Sequence, residues 1–126
     1  RRESTGASGI ALHCVTHSHL FFDRQTRLDA AARVRAELPV TAGELLCDSR
    51  EDVPRLDAPE LNAWRGWKGE RLSPKKILGE GLMASAAWQC VLAVDALRQA
   101  RCPAANVSIV GCNQQAIGAR FVKVEI

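Results

Sequence analysis

The sequence predicts an α/β domain: a five-stranded mixed sheet with helices on both faces, three layers deep, in the order β-α-β-α-β-α-β-β. Three observations predict it. Strand-like apolar runs alternate with helix-period segments, which implies parallel strands joined by right-handed crossovers. The helix candidate from Leu82 to Arg98 is apolar around nearly its whole circumference (Leu82, Met83, Trp88, Cys90, Val91, Leu92, Val94, Leu97), so it expects cover on more than one side. The last two strand candidates, Asn106 to Gly111 and Gly118 to Val124, have only a short turn between them and must be antiparallel neighbours.

Each element has its own local reason. Ile10-Ala11-Leu12-His13-Cys14-Val15-Thr16 follows a glycine and carries β-branched residues, which makes it the first strand, with His17 to Phe22 as its exit. Asp23 can cap the next element. Leu28, Ala31, Ala32, Val34, Ala36 and Leu38 recur at near-3.6 spacing and mark a helix that Pro39 stops. Glu44-Leu45-Leu46-Cys47-Asp48 is a short buried strand, and Asp52 to Asp57 a loop. Asp57 is expected to be an N-cap, with Glu60 at capping-box spacing and Pro59 tolerated in the first turn. That helix carries Leu61 and Trp64 and ends at Gly66. A third strand is expected near Leu72 to Ile77, then a Gly79-Glu80-Gly81 turn into the long helix; Pro103 ends the following linker.

The composition excludes several classes. The 126 residues are 47% hydrophobic and 25% charged, as in an ordinary globular domain with a real core. The net charge of +3 (17 basic minus 14 acidic) comes without a basic stripe interleaved with aromatics, so nucleic acid is not an expected partner. No apolar run reaches the length of a membrane span. Arg1-Arg2-Glu3-Ser4-Thr5-Gly6 lacks the apolar region of a signal peptide, so a cytoplasmic location is expected. The chain does not begin with Met and enters a strand almost at once, which reads as a piece of a longer protein. Its five cysteines (Cys14, Cys47, Cys90, Cys102, Cys112) are odd in number and form no CxxC pair, so buried reduced thiols are expected rather than disulfides. No cofactor motif is present.

The turns carry a family resemblance. Val15-Thr16-His17-Ser18-His19 closes the first strand. The loop after the second strand reads Ser49-Arg50-Glu51-Asp52-Val53-Pro54-Arg55-Leu56-Asp57, before the acidic helix start Glu60-Leu61-Asn62-Ala63. Lys75-Lys76-Ile77-Leu78-Gly79-Glu80 precedes the alanine-rich helix, and Val110-Gly111-Cys112-Asn113-Gln114-Gln115 joins the last strands. In order and position this resembles the C-terminal half of the β-ketoacyl synthases, with their thiolase-like fold, over nearly the whole chain. The family's corresponding motifs are His-Gly-Thr-Gly-Thr-Pro-Leu-Gly-Asp, Lys-Ser-Asn-Ile-Gly-His and Phe-Gly-Phe-Gly-Gly-Thr-Asn. Pro54, Leu56 (shifted by one), Asp57, Lys75 and Gly79 echo them.

The departures carry as much information as the matches. The resemblance implies a condensing enzyme in which a cysteine from the other half attacks, while two neutral histidines donate hydrogen bonds to the thioester oxygen as an enolate forms. Here Ser49 and Glu80 stand at the two histidine positions, and a carboxylate at position 80 repels a developing enolate. Such losses are typical of chain-length-factor-like subunits. The resemblance therefore implies a catalytically deficient subunit of fatty-acid, polyketide or aryl-polyene synthesis. Its partners would be an active ketosynthase subunit (as a heterodimer, or alternatively a homodimer) and an acyl carrier protein. Cys112, Asn113 and Gln114 then belong to the substrate-pocket wall. Two alternatives stay open: an active condensing enzyme or acyltransferase with non-standard residues, and a non-catalytic domain that binds acyl carriers.

Other candidates have plainer explanations. His13, His17 and His19 would share one face of a continuous strand, as a metal site requires, but no acidic or cysteine ligand matches their spacing, and strand-end histidines explain them better. Glu80 fits a first-turn residue favoured by the helix dipole. Ala84-Ser85-Ala86-Ala87 allows close helix packing on the sheet. Trp64 and Trp67 flank Gly66 as core or as a subunit surface. Arg1, Arg2, Arg24, Arg27, Arg33 and Arg35 form a solvated basic face, which an acidic carrier could also use.

Overall fold

The computed structural model describes residues 8–81, 83–111 and 113–125, with the side chains of Ser8 and Met83 outside the description. In chain order its elements are β1 (Ser8–Val15), β2 (His19–Leu20), α1 (Arg24–Glu37), β3 (Leu45–Cys47), α2 (Pro54–Ala63), β4 (Arg71–Leu72), α3 (Lys75–Leu78), α4 (Met83–Arg98), β5 (Ala104–Val110) and β6 (Gln115–Glu125). Five strands form one path, β1-β6-β5-β3-β4, and the two-residue β2 adds a sixth by pairing with β6. β3 runs parallel to both β4 and β5, while β6 is antiparallel to β5 and β1. The sheet is mixed, as expected, and the last two strands are antiparallel neighbours.

Alternation along the central strands builds the two cores. Leu46 and Val110 face α1 and α2, where they meet Phe21, Ala30, Ala31, Val34, Leu38 and Trp64. Leu45, Cys47, Ala105 and Val107 face α4 and meet Ala93, Ala96 and Leu97. The period-2 geometry of a strand separates these sets, so helices cover both faces. Asn106 and Ser108 alternate with the apolar residues of β5 and place polar groups in the interior under α1 and α2. Those groups draw in Glu44 and Glu60, described below.

α1 begins where its chemistry predicts. The Asp23 carboxylate accepts from Thr26 N, and the Thr26 hydroxyl accepts from Asp23 N, which closes a capping box. α2 departs from expectation. It starts at Pro54, with Val53 as an N-cap that makes no side-chain hydrogen bond. Proline at the first helical position needs no N–H partner, so the helix starts three residues before Asp57. Asp57 and Glu60 therefore lie inside the helix rather than at its cap. Pro59 is interior too, Leu61 is exposed, and the last turn closes on Trp64, which is buried.

The expected strand from Leu72 to Ile77 is also corrected. Only Arg71 and Leu72 pair with β3. Pro74 sits in the right-handed helical region (φ −60°, ψ −32°) and opens the one-turn α3, which Gly79 ends at φ +76°, a conformation glycine adopts without Cβ strain. Strand pairing stops ahead of Pro74, which has no N–H to donate to a ladder and whose helical backbone turns the chain into α3. β2 is a gain over the expected strand exit.

α4 packs by one stripe: Ser85, Gln89, Ala93, Ala96 and Leu97 are buried, while Ala84, Ala87, Trp88 and Val91 are exposed. Close packing thus rests on Ala93 and Ala96 more than on the run from Ala84 to Ala87. Cys47 and Cys102 are buried, Cys14 and Cys90 half-buried, and all four are free thiols. Cys112 lies outside the described residues. Burial pushes the Cys47 thiol up, which keeps it an inert core group.

Candidate functional site

Ligand sites in α/β sheets gather beyond the carboxyl ends of the strands. Here β3 leads into Ser49 to Glu51, β4 into α3, and β5 into Gly111. The short α3 delivers Lys75 to this end, and the Gly79 turn brings Glu80 back over it. Lys75 Nζ stands 2.9 Å from Glu80 Oε2, with the Lys75 side chain 5% exposed and that of Glu80 30%. Ser85 Oγ donates to Glu80 Oε1 at 3.0 Å and accepts from Gly81 N at 2.7 Å.

Glu51 shares a hydrogen bond with Glu80. Burial raises the affinity of both carboxyls for a proton. For Glu80 the hydrogen bonds from Lys75, Glu51 and Ser85 outweigh burial and hold it at about 2. Glu51 moves the other way, pushed up by burial and by the carboxylate beside it. One carboxyl of the pair is therefore charged, and its neighbour is the more easily protonated member.

This cluster stands at one end of a cavity of about 430 Å³ between α4 and the β5–β6 turn. Ala86, Ile109 and Ile117 give it apolar walls, and Asn113 and Gln115 form part of its polar rim. Lys75 and Glu80 also line a smaller space of about 250 Å³ beside Arg27, Glu51 and Leu56. The arrangement suits an elongated, mostly apolar molecule whose polar end meets a charged pair.

Ser49 goes elsewhere. It is buried behind this cavity, where its Oγ donates to Glu60 Oε1 at 2.5 Å and accepts from Val110 N at 3.0 Å. Ser49 N also donates to the Glu60 carboxyl, and Ser108 Oγ donates to Glu60 Oε2 at 2.6 Å. Burial is the main cause that lifts Glu60 to about 7, and the charge of Asp48 adds to it. Asp48 itself is the hub of a second network, accepting from Arg50 Nε at 3.0 Å, Arg71 Nε at 2.5 Å and Ser73 Oγ at 2.7 Å. These groups fix the start of the loop that follows β3.

The sequence-derived site residues thus divide. Glu80 and Asn113 line one cavity; Ser49 does not reach it. Gln114, at φ +61°, lines a different hollow with Phe21, Phe22, Arg27 and Arg55. Cys112 lies outside the described residues. The histidines also separate. His13 Nδ1 lies 3.0 Å from Arg120 Nη1, whereas His17 and His19 both meet the Glu37 carboxylate. The backbone N–H of His17 contributes most to holding Glu37 at about 2, followed by both rings against the opposing effect of burial. No group of three or more metal-type ligands occurs among the described residues.

Sequence reading missed Glu51, Ser85 and Glu60 as participants and treated Lys75 only as a motif match. The available signal was the five-residue spacing from Lys75 to Glu80 across a proline-initiated turn, which a strand assignment hides. Glu60 carried no local signal, because its partners lie on β5 and beyond β3.

The sequence matches no protein-family model and no curated protein. In fold the chain is similar to a chain from the structure of a type II polyketide synthase acyl-carrier protein in complex with its ketosynthase bound to the hexaketide (AntDE:AntF), with a TM-score of 0.66 and 11% identity. The likeness covers 88% of this chain and 32% of that one, so this chain spans about a third of its length. At this identity the likeness concerns fold: the chain has an α/β, mixed-sheet architecture resembling that of a ketosynthase structure. No described helix is long and apolar enough to cross a membrane.

Proposed function

We propose that this chain is the C-terminal half-domain of a ketosynthase-like subunit of polyketide or fatty-acid-type synthesis, and that it serves as a chain-length factor beside an active ketosynthase. It would pack against a homologous N-terminal half, and together with its partner it would wall the space in which an acyl chain grows on an acyl carrier protein. One observation carries this reading: the Lys75–Glu80 ion pair at the end of the 430 Å³ cavity. Where a condensing enzyme of the resembled family has a neutral imidazole donor, this chain has a carboxylate held at about 2. A charged carboxylate donates no hydrogen bond and opposes a developing enolate. The loss of one such donor costs roughly 3 kcal/mol of transition-state stabilisation. Ser49, at the other histidine position, has its hydroxyl committed to Glu60.

A second reading has one specific support. Lys75 is a cationic donor in the same cavity, and Glu51 is pushed toward its protonated, donating form, so an unusual condensing site could use these two. A malonyl-carrier condensation assay on the full-length protein separates the readings. Product formed only when an active ketosynthase partner is added supports the chain-length-factor role. Product from the protein alone overturns it and points to Lys75 and Glu51. Carrier binding with no effect on product in either arm leaves a scaffold that binds acyl carriers.

A further inference from the structure

A second concavity lies at the amino ends of β3 and β4, remote from Glu80. Its volume is about 330 Å³, within the range of roughly 300–1,000 Å³ seen for small-molecule sites. Three segments converge on it: the C-terminal turn of α1, the loop before β3, and the loop after α2. They bring Arg35, Arg65 and Lys68 to one hollow, and no carboxylate side chain lines it. Among the described residues none of these three cations makes an ion pair. Arg35 is pre-positioned, with its guanidinium 4.9 Å from the Trp64 ring centroid. Trp64 lines the same hollow, and its buried indole N–H has no acceptor among the described residues. Trp67 packs edge-on against Trp64 at 5.5 Å and completes the wall. Gly43 and Gly66, at φ +82° and +81°, take the left-handed backbone on which the two loops beside the hollow turn.

Unpaired cations held together repel one another, and an anion relieves that repulsion. Guanidinium groups match the oxygens of phosphate in pairs, which a single lysine does not. We propose that this hollow binds the phosphate groups of a phosphate-bearing anion, with Arg35, Arg65 and Lys68 as its charge partners and the tryptophan pair as its wall. The site is independent of the Glu80 cavity and of the synthase reading.

The test is a titration of the full-length chain with pyrophosphate, followed by tryptophan fluorescence in a Trp88→Phe background so that Trp64 and Trp67 dominate the signal from this region. A saturable change is expected, weakened at least tenfold in Arg65→Gln/Lys68→Gln, whose side chains are exposed and whose loss leaves the core untouched. Arg35→Gln should weaken it similarly, with circular dichroism confirming the fold. Affinity should also fall as salt rises. Tighter binding of ADP than of pyrophosphate would assign the ligand to organic diphosphates, and equal affinity to the phosphate group alone; both support the site. No saturable change, a change reproduced by sodium chloride at equal ionic strength, or full binding by Arg65→Gln/Lys68→Gln would overturn it.

Discussion

Lys75 and Glu80 are joined across the one-turn α3 at 2.9 Å, and the turn that joins them begins at a proline inside a predicted strand. The pair is asymmetric. Lys75 is nearly buried, whereas Glu80 keeps solvent contact and shares a hydrogen bond with Glu51. Its first consequence concerns removal of the Glu80 charge. Glu80→Gln leaves Lys75 facing only Glu51, which then ionises more readily and takes over as partner. The expected loss is about 1–2 kcal/mol, less than for a fully buried pair because Glu80 is partly solvated. Urea unfolding curves of the two proteins measure it; an unchanged midpoint would show that the pair contributes nothing to stability.

The same pair predicts an acid-side effect. The folded-state pKa of Glu80 lies at about 2, below its ordinary 4.5, so the unfolded chain binds the proton more readily. The stability it contributes is fully present above about pH 4.5 and is lost as pH falls toward 2. Glu80→Gln should therefore flatten part of the acid limb of a stability-against-pH curve. Parallel limbs for the two proteins would contradict the assignment.

Glu60 predicts the opposite slope. Its folded pKa of about 7 is raised above 4.5, so the folded chain holds the proton longer. Stability from this group is greatest below about pH 4.5, falls as pH rises from there to 7, and is level above. The span is roughly 3 kcal/mol at 1.36 kcal/mol per pKa unit. Glu60→Gln keeps an acceptor for Ser49 N and removes the charge, so its stability should vary less between pH 5 and 8. Denaturation midpoints of both proteins at those two pH values decide the point. Glu60→Ala, in contrast, strands Ser49 and Ser108 and should be destabilised at every pH.

Arg120 and Glu44 form a two-pronged pair on the α1/α2 side of the sheet, at 3.1 and 2.8 Å. Burial opposes the charge on Glu44, but Arg120, Thr41 and Asn106 outweigh it and hold the carboxyl at about 2. Arg120→Met leaves that carboxylate buried without its cation, at an expected cost of about 3–5 kcal/mol. A loss below 1 kcal/mol in calorimetry would mean that Thr41 and Asn106 suffice.

Gly118 lies under α1 with no room for a side chain. A Cβ there would stand 2.7 Å from Val34 Cγ1 and 3.0 Å from Leu38 Cδ1. Gly118→Ala should destabilise by about 1–3 kcal/mol through overpacking, with α1 shifted away from β6. Wild-type stability in this variant would show that Val34 and Leu38 can move aside at no cost.

Much of this architecture was legible in the sequence, for reasons that are local. The capping residue Asp23, the apolar spacing of α1 and the short gap between β5 and β6 each act over a few residues, so the pattern alone located them. α2 was misplaced at its start because Asp57 and Glu60 mimic a capping box, while Pro54 offered an earlier start. β4 was overextended because Leu72 to Ile77 reads as one strand until Pro74 is given its helical backbone.

The candidate site divides along the same line. By itself the sequence determined which residues stand at the loops beyond the strands, including Glu80 and Ser49, because chain order and turn chemistry set those positions. Only the tertiary structure decided what they do. Ser49 meets Glu60 eleven residues away, and Glu60 meets Ser108 at a separation of 48, through contacts that exist only after α2 and β5 close on β3. Long-range pairing in a desolvated interior sets hydrogen bonding and ionisation, and no spacing along the chain encodes it.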